Sequence, residues 1–298
     1  MITAIEGLDH ALVGVQDLEA ARRNWTRLGF HACPRGRHIG WGTANYCLMF
    51  AQNYIELLGI VDPTKFTNNL DHFLAQREGF LGLAFRSGDA EVTADFLRRQ
   101  GGEVVGPTEL KRVIELPAGD ALPAFRLVHP ERRQVPGLSA FFCQHLSADL
   151  VWQAAFLTHP NGALGIKGVV TVVAEPGALA QDYGALFGAE AVAVSDGMVA
   201  VRAGNCGLTF ATAQALAEVI YPALPAPPDL SEPYTLALQI AVADLQATEA
   251  FFTAAAVPFL GLGDRLLLSP AQANGVLLEF LPAVPEGGDP DAAPGPSV

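Results

Sequence analysis

The chain has 298 residues, enough for two ordinary domains. Half of the residues are hydrophobic and 16% are charged, which excludes disorder for the bulk of the chain. The net charge of −13 argues against nucleic acid or an anionic membrane as partner, because both call for a basic face.

The chain opens on Met1-Ile2-Thr3-Ala4-Ile5-Glu6. No basic stretch is followed there by an apolar block, so no signal peptide is expected. A strand is predicted over 10–15, ending in a polar turn. A helix follows, with Leu18, Ala21, Trp25 and Leu28 at helical spacing on one face. Asp17 is placed to cap its first turn, and Gly29 to supply the left-handed residue after its last. A Gly-rich stretch leads to two β-rich runs, 46–50 and 54–58.

The same order of elements recurs three times. A strand over 81–85 precedes a helix begun at Asp89, with Val92, Phe96 and Leu97 inward and Gly101 closing it. Strands follow over 104–116, 125–128 and 140–145. A strand over 169–173 precedes a helix begun near Pro176, with Leu179, Tyr183 and Leu186 inward and Gly188 at its end. Strands then run over 191–194, 199–202 and 208–211. A strand over 236–242 precedes a helix begun at Asp244, carrying Leu245, Thr248, Phe251 and Phe252 and stopped by Val257-Pro258. Runs over 265–268 and 276–280 complete the fourth unit. Each unit reads β-α-β-β-β, and the repeat is too long for a common solenoid.

Three segments stand outside the repeat. Residues 147–165 form a connector with the turn His159-Pro160-Asn161-Gly162, residues 221–233 are Pro-rich, and residues 285–298 read as a disordered tail. No apolar run reaches bilayer length. Cys33, Cys47, Cys143 and Cys206 are scattered without a Cys-x-x-Cys pair, so free thiols in a reducing, cytoplasmic compartment are expected.

Four paired βαβββ units resemble the vicinal oxygen chelate superfamily, which includes glyoxalase I and the extradiol dioxygenases. The residues that carry the likeness are Leu8-Asp9-His10, Val15-Gln16-Asp17-Leu18-Glu19-Ala20-Ala21 and Leu28-Gly29-Phe30. The run from Gly36 through Arg37, His38, Trp41 and Asn45, then Tyr54-Ile55-Glu56-Leu57-Leu58-Gly59, resembles the glyoxalase-like subgroup in particular. The modular likeness covers roughly residues 3–283, and the sharper motifs about residues 5–61. It implies an α+β fold of two glyoxalase-like domains, at 1–146 and 166–284, with the site in the first.

The resemblance implies a cup whose ligands come from the first and last strands of each unit. His10, seven residues before Asp17, matches the first-strand ligand, and Glu56 matches the last-strand ligand. A Glu within Tyr-Ile-Glu-Leu-Leu either faces solvent or serves a purpose, since a lone buried carboxylate is costly. One divalent ion (Zn, Ni, Mn or Fe) is the implied cofactor. Counting seven residues before the other helix starts gives Gly82, Val169 and Ala237, none of them a ligand. Extradiol iron chemistry is therefore not expected. Gln144 would complete the set if the first two units pair, and Glu279 if the first and fourth do. His145 would enter only through a bulge.

His38 is a candidate to move a proton, with Trp41 and Asn45 lining the cup and Arg126 holding an anionic group. Isomerase or lyase chemistry on a small oxygen-rich substrate is the leading expectation, with Glu56 or His38 as the proton carrier. Metal-free ligand sequestration is the alternative. A homodimer is left open.

Overall fold

The computed structural model describes residues 4–116, 119–222, 224 and 233–283. The first two units supply eight strands: β1 (Ile5–Gly14), β2 (Gly36–His38), β3 (Thr43–Met49), β4 (Tyr54–Ile60), β5 (Gly79–Ser87), β6 (Val104–Ile114), β7 (Ala124–Pro130) and β8 (Ala140–His145). They close into a barrel in the order β1-β4-β3-β2-β6-β7-β8-β5. The last two units supply β9 (Ala163–Val172), β10 (Val192–Ser195), β11 (Met198–Ala203), β12 (Cys206–Ala211), β13 (Tyr234–Val242), β14 (Leu260–Gly261), β15 (Leu266–Leu268) and β16 (Leu277–Pro282). These form an eight-stranded sheet in the order β10-β11-β12-β9-β13-β16-β15-β14. The α+β architecture of two glyoxalase-like domains is thus present, with units one and two paired and units three and four paired. No helix of the described residues is long and apolar enough to cross a membrane.

Four helices repeat across the units: α1 (Leu18–Arg27), α3 (Ala90–Arg99), α5 (Ala180–Phe187) and α7 (Leu245–Ala254). Short helices α2 (Leu70–Leu74), α4 (Ala148–Val151) and α6 (Ala213–Ala215) lie between them. Asp17, Asp89 and Asp244 each cap a helix, accepting hydrogen bonds from backbone N–H groups of its first turn. The third unit has no such residue and enters its helix through a 3-10 turn at Pro176–Leu179. Val92 differs from expectation. It is exposed, and Ala90, Thr93 and Ala94 join Phe96 and Leu97 in facing the core.

The expected connector is not only a connector. β9 begins inside it, at Ala163, and the preceding residues fold into α4 and a 3-10 turn, Ala154–Phe156. Residues 285–298 and most of the Pro-rich segment lie outside the described residues.

One cluster of buried side chains runs through both halves, from Trp25 and Phe30 to Phe210, Phe252 and Phe280. Side-chain amides seal the seam. Asn53 donates to Ile166 O at 3.0 Å and accepts from Ile166 N at 2.9 Å. Gly29 sits here with φ +86, where a Cβ would meet the Phe251 ring at 2.6 Å and the Asn161 Cβ at 2.7 Å. A side chain would be strained there and would also collide.

His159, read from the sequence as a turn residue, is a buried rivet of this seam. Its Nδ1 accepts from His31 N at 2.9 Å and its Nε2 donates to Met49 O at 2.9 Å. That bonding needs a neutral ring, and burial holds the imidazole below its ordinary value. Protonation therefore favours the unfolded chain. This contribution to stability should be complete above the ordinary value of 6.5 and decline as pH falls below it. Urea unfolding on either side of that pH should show the decline in the native chain and a smaller one in His159→Gln.

Candidate functional site

The barrel interior is built by strand alternation, interrupted by bulges. β1 and β5 run antiparallel, with His10 opposite Ala84 and Leu12 opposite Gly82. The local twofold implied by this pairing carries His10 onto Gly82. Glu56 lies beside Leu12 on β4, and Phe141 lies beside Ala84 on β8. The same twofold therefore carries Glu56 onto Phe141. The four positions facing one another across the barrel axis are His10, Glu56, Gly82 and Phe141.

Two of these carry chemistry. His10 Nε2 stands 3.4 Å from Glu56 Oε2, and both residues are buried. The His10 ring stacks on Tyr54, with centroids 4.4 Å apart, and meets the Phe141 ring edge-on at 5.7 Å. Asn45 donates to Glu56 Oε1 and so fixes the carboxylate. Burial pushes the Glu56 carboxyl up, but the charges of His10, His38 and Arg112, with the Asn45 hydrogen bond, bring it below the ordinary value.

Asp9 is the pivot. The β1–β5 register shifts between Leu8 and His10, which leaves Asp9 as a bulge. Adjacent strand residues ordinarily face opposite ways, yet Asp9 Oδ1 reaches His10 Nδ1 at 2.7 Å and His145 Nε2 at 3.0 Å. Its Oδ2 accepts from Arg86 Nε at 3.1 Å. Burial alone would raise this carboxyl, but hydrogen bonds from the two imidazoles hold it far below its usual range. Asp9, Cys143 and His145 also place three ligand atoms within 4.8 Å of one another, a group that could hold a metal ion.

Arg112 on β6 is 4% exposed. Its Nη1 donates to Cys47 Sγ at 3.3 Å, and its guanidinium lies over the Phe125 ring at 5.4 Å. Among the described residues, two buried side-chain polar atoms lack a hydrogen-bond partner, Arg112 Nε and His145 Nδ1. Both belong to this barrel. Buried polar groups are nearly always satisfied, so this pair marks where the fold leaves something undone.

The second sheet shows what a completed counterpart looks like. Glu279 pairs with Gln239 on β13 as Phe141 pairs with Ala84 on β5, so it occupies the position equivalent to Glu56. It is fully buried and bound at both oxygens: Arg265 donates to Oε1 at 2.7 Å, and Tyr221 at 2.7 Å and Gln239 at 2.8 Å donate to Oε2. Glu279 therefore belongs to the second sheet and does not complete the His10 pair.

The family model for the glyoxalase-like domain matches residues 8–187. The chain belongs to this glyoxalase-like family. Among solved structures, the chain is similar to a hypothetical protein from Staphylococcus aureus, with a TM-score of 0.67 and 14% identity over 93% of this chain and 99% of that one. A variant of 4-hydroxymandelate synthase from Streptomyces coelicolor aligns with a TM-score of 0.62 and 13% identity over 94% and 93%. A fusion of a xylose isomerase-like TIM barrel with 4-hydroxyphenylpyruvate dioxygenase aligns at 0.57 and 15% over 95% of this chain and 49% of that one. At these identities the likeness shows the fold. A search of curated proteins finds no match.

The barrel brings together His10, Glu56 and Asn45. His38 is nearby, with Nδ1 on Thr43 Oγ1 at 2.8 Å, and burial lowers its basicity. Trp41 packs against His38, with ring centroids 5.5 Å apart, and against Phe66, and lines a cleft of about 450 Å³ together with Leu127 and His129. Two expectations fail on strand parity. Phe141, Cys143 and His145 face inward, so Gln144 faces out, accepting from Ala90 N at 3.2 Å and donating to Gly88 O at 3.1 Å. Arg126, paired with Gln144 across β7 and β8, also faces out, 3.9 Å from Glu91 on α3. Asp9, Arg112 and His145 also face the interior, in positions set by partners remote in sequence. Arg112 carried a readable signal, being a charge between Leu110 and Ile114 at the inward positions of an alternating strand.

Gln144→Ala should therefore leave the barrel interior intact and lower stability by about 1 kcal/mol through two lost hydrogen bonds at the α3 entry. Chemical unfolding, with ligand or metal titration alongside, checks both halves of that expectation.

Proposed function

We propose that the first barrel is a small-molecule site that holds one divalent ion, Zn, Ni, Mn or Fe, between His10 and Glu56. The observation that carries this reading is the convergence of His10 Nε2 and Glu56 Oε2 at 3.4 Å, with His10 Nδ1 held by Asp9. Two ligands of one first-row ion, each at roughly 2.0–2.2 Å, stand about 3 Å apart. Metal-ligating imidazoles ordinarily give their second nitrogen to a carboxylate, which fixes the ring. Both conditions suit the residues present.

A bound ion would polarise a substrate oxygen as a Lewis acid. The chain's own residues supply the rest. Gly82 and Phe141 offer no ligand atoms, which leaves open positions for substrate oxygens. Asn45 holds one Glu56 oxygen and turns the other toward His10. Glu56, ionised at neutral pH, accepts a proton, and a neutral His38 takes or returns one. This is isomerase or lyase chemistry on a small oxygen-rich substrate. The four free thiols suit a reducing cytoplasm.

The Asp9, Cys143 and His145 group is the weaker metal candidate. Arg86 already occupies Asp9, and burial holds the Cys143 thiol well above its ordinary value, hence protonated. Metal-free ligand binding is the second reading, favoured by Phe141 standing where a fourth ligand would be.

Metal content after loading with Zn, Ni, Mn and Fe tests the assignment. About one equivalent is expected in the native chain, and none in His10→Ala or Glu56→Ala. Asp9→Asn should weaken binding about 10–100-fold. No bound metal under any loading would leave the metal-free reading, and metal retained by both alanine variants would move the site elsewhere.

A further inference from the structure

Among the described residues no carboxylate pairs directly with Arg112, although Glu56 lies within range of its charge. Asp9 is taken by Arg86 and the two imidazoles, and Glu56 by Asn45 and His10. What Arg112 touches is the Cys47 sulfur and the Phe125 ring. A thiol sulfur is only a weak hydrogen-bond acceptor. A guanidinium is always charged, and a buried charge without a partner is costly. Its Nε lacks any hydrogen-bond partner among the described residues.

Arg112 also lines a small cavity of about 10 Å³, with Asn45, Met49, Ile114, Val151 and Phe156 around it. That is space for about one water. Val151 and Phe156 come from residues 148–157, a strap of short helical turns across this end of the barrel. The strap is held by Trp152, whose Nε1 donates to Phe50 O at 2.9 Å and whose ring lies under the Arg86 guanidinium at 4.9 Å.

We propose that this cavity is the closed form of a carboxylate-binding site, where the Nε edge of Arg112 takes the carboxylate of a small organic acid once the strap lifts. The planar fork of Arg presents two parallel N–H groups along that edge, which match two carboxylate oxygens. Nη1 is engaged by Cys47, and Nε is the donor left over. Met49, Ile114, Val151 and Phe156 make the surroundings apolar, so the remainder of the ligand is apolar and short. The inference rests on reading the first barrel as a small-molecule site, and is independent of whether that barrel holds a metal.

The test uses chelator-treated full-length protein, titrated calorimetrically with butyrate and phenylacetate, with butyramide and phenylacetamide as neutral isosteres. Inorganic phosphate is a separate arm. The acids should bind at least tenfold more tightly than the amides and perturb Trp152 fluorescence, a signal assigned by its loss in Trp152→Phe. Arg112→Met should abolish the preference for acid over amide. Arg112→Lys, which keeps the charge but not the fork, should retain a weaker one. The preference is read on metal-free protein and metal content is measured separately, so failure of the metal assignment remains distinguishable from failure here. Equal binding of acid and amide, binding of neither acid, binding of phosphate alone, or native affinity in Arg112→Lys would each overturn the proposal. If Arg112→Met does not fold, the lysine variant decides.

Discussion

A carboxylate with no solvent exposure has to be neutralised where it stands, and Asp9 imposes that demand on the first barrel. Two imidazoles and a guanidinium meet it, drawn from β1, β5 and β8. The demand exists because the bulge in β1 turns Asp9 inward beside His10. A regular strand would send Asp9 out among the helices and leave His10 free to rotate. With the bulge, His10 Nδ1 is committed and Nε2 is aimed at Glu56. Each of the other interior polar residues then has its place set by strand register.

The two sheets solve the same problem in opposite ways. In the second, Glu279 occupies the position equivalent to Glu56, and Arg265, Tyr221 and Gln239 use up its oxygens. The Gln239 side chain also lies so close to Gly168 that a Cβ there would meet its Oε1 at 2.0 Å. Both oxygens of that carboxylate are engaged within the protein. In the first barrel the cation, Arg112, is displaced from Glu56 onto a thiol, and the two unpaired buried atoms remain. Buried polar groups are nearly always satisfied, so the two unpaired atoms set the first barrel apart from the second sheet.

This contrast explains what was legible in the sequence. Asp caps and glycines after helices act locally, so α1, α3 and α7 could be read from Asp17, Asp89 and Asp244. The bounds of β8 followed from its apolar run. Inward and outward parity did not follow, because it depends on register set by partners far along the chain. An error of one position in β8 exchanged Gln144 for its inward neighbours, and the same parity put Arg126 outside. The count of seven from Asp89 to Gly82 held, since equivalent bulges occur in β1 and β5. The bulge residue Asp9 stood in the quoted motif without a role, because its function depends on Arg86 and His145, remote in sequence.

The second sheet is more than a passive neighbour to this site. Asn205, in the turn between β11 and β12, accepts from Leu8 N at 2.8 Å and donates to Leu8 O at 3.1 Å. Leu8 is the residue before the bulge, where the β1–β5 ladder is interrupted. A side-chain amide from the other half thus satisfies both backbone groups that the bulge would otherwise leave exposed to an apolar seam. Gly7 allows the approach, since a Cβ at its φ of +126 would meet Asn205 Oδ1 at 2.7 Å. With one core running through both halves, the barrel cannot be lifted away from its partner sheet without freeing Leu8 and loosening the bulge. The third unit carries no ligand of its own, but through Asn205 it helps hold the His10 imidazole toward Glu56.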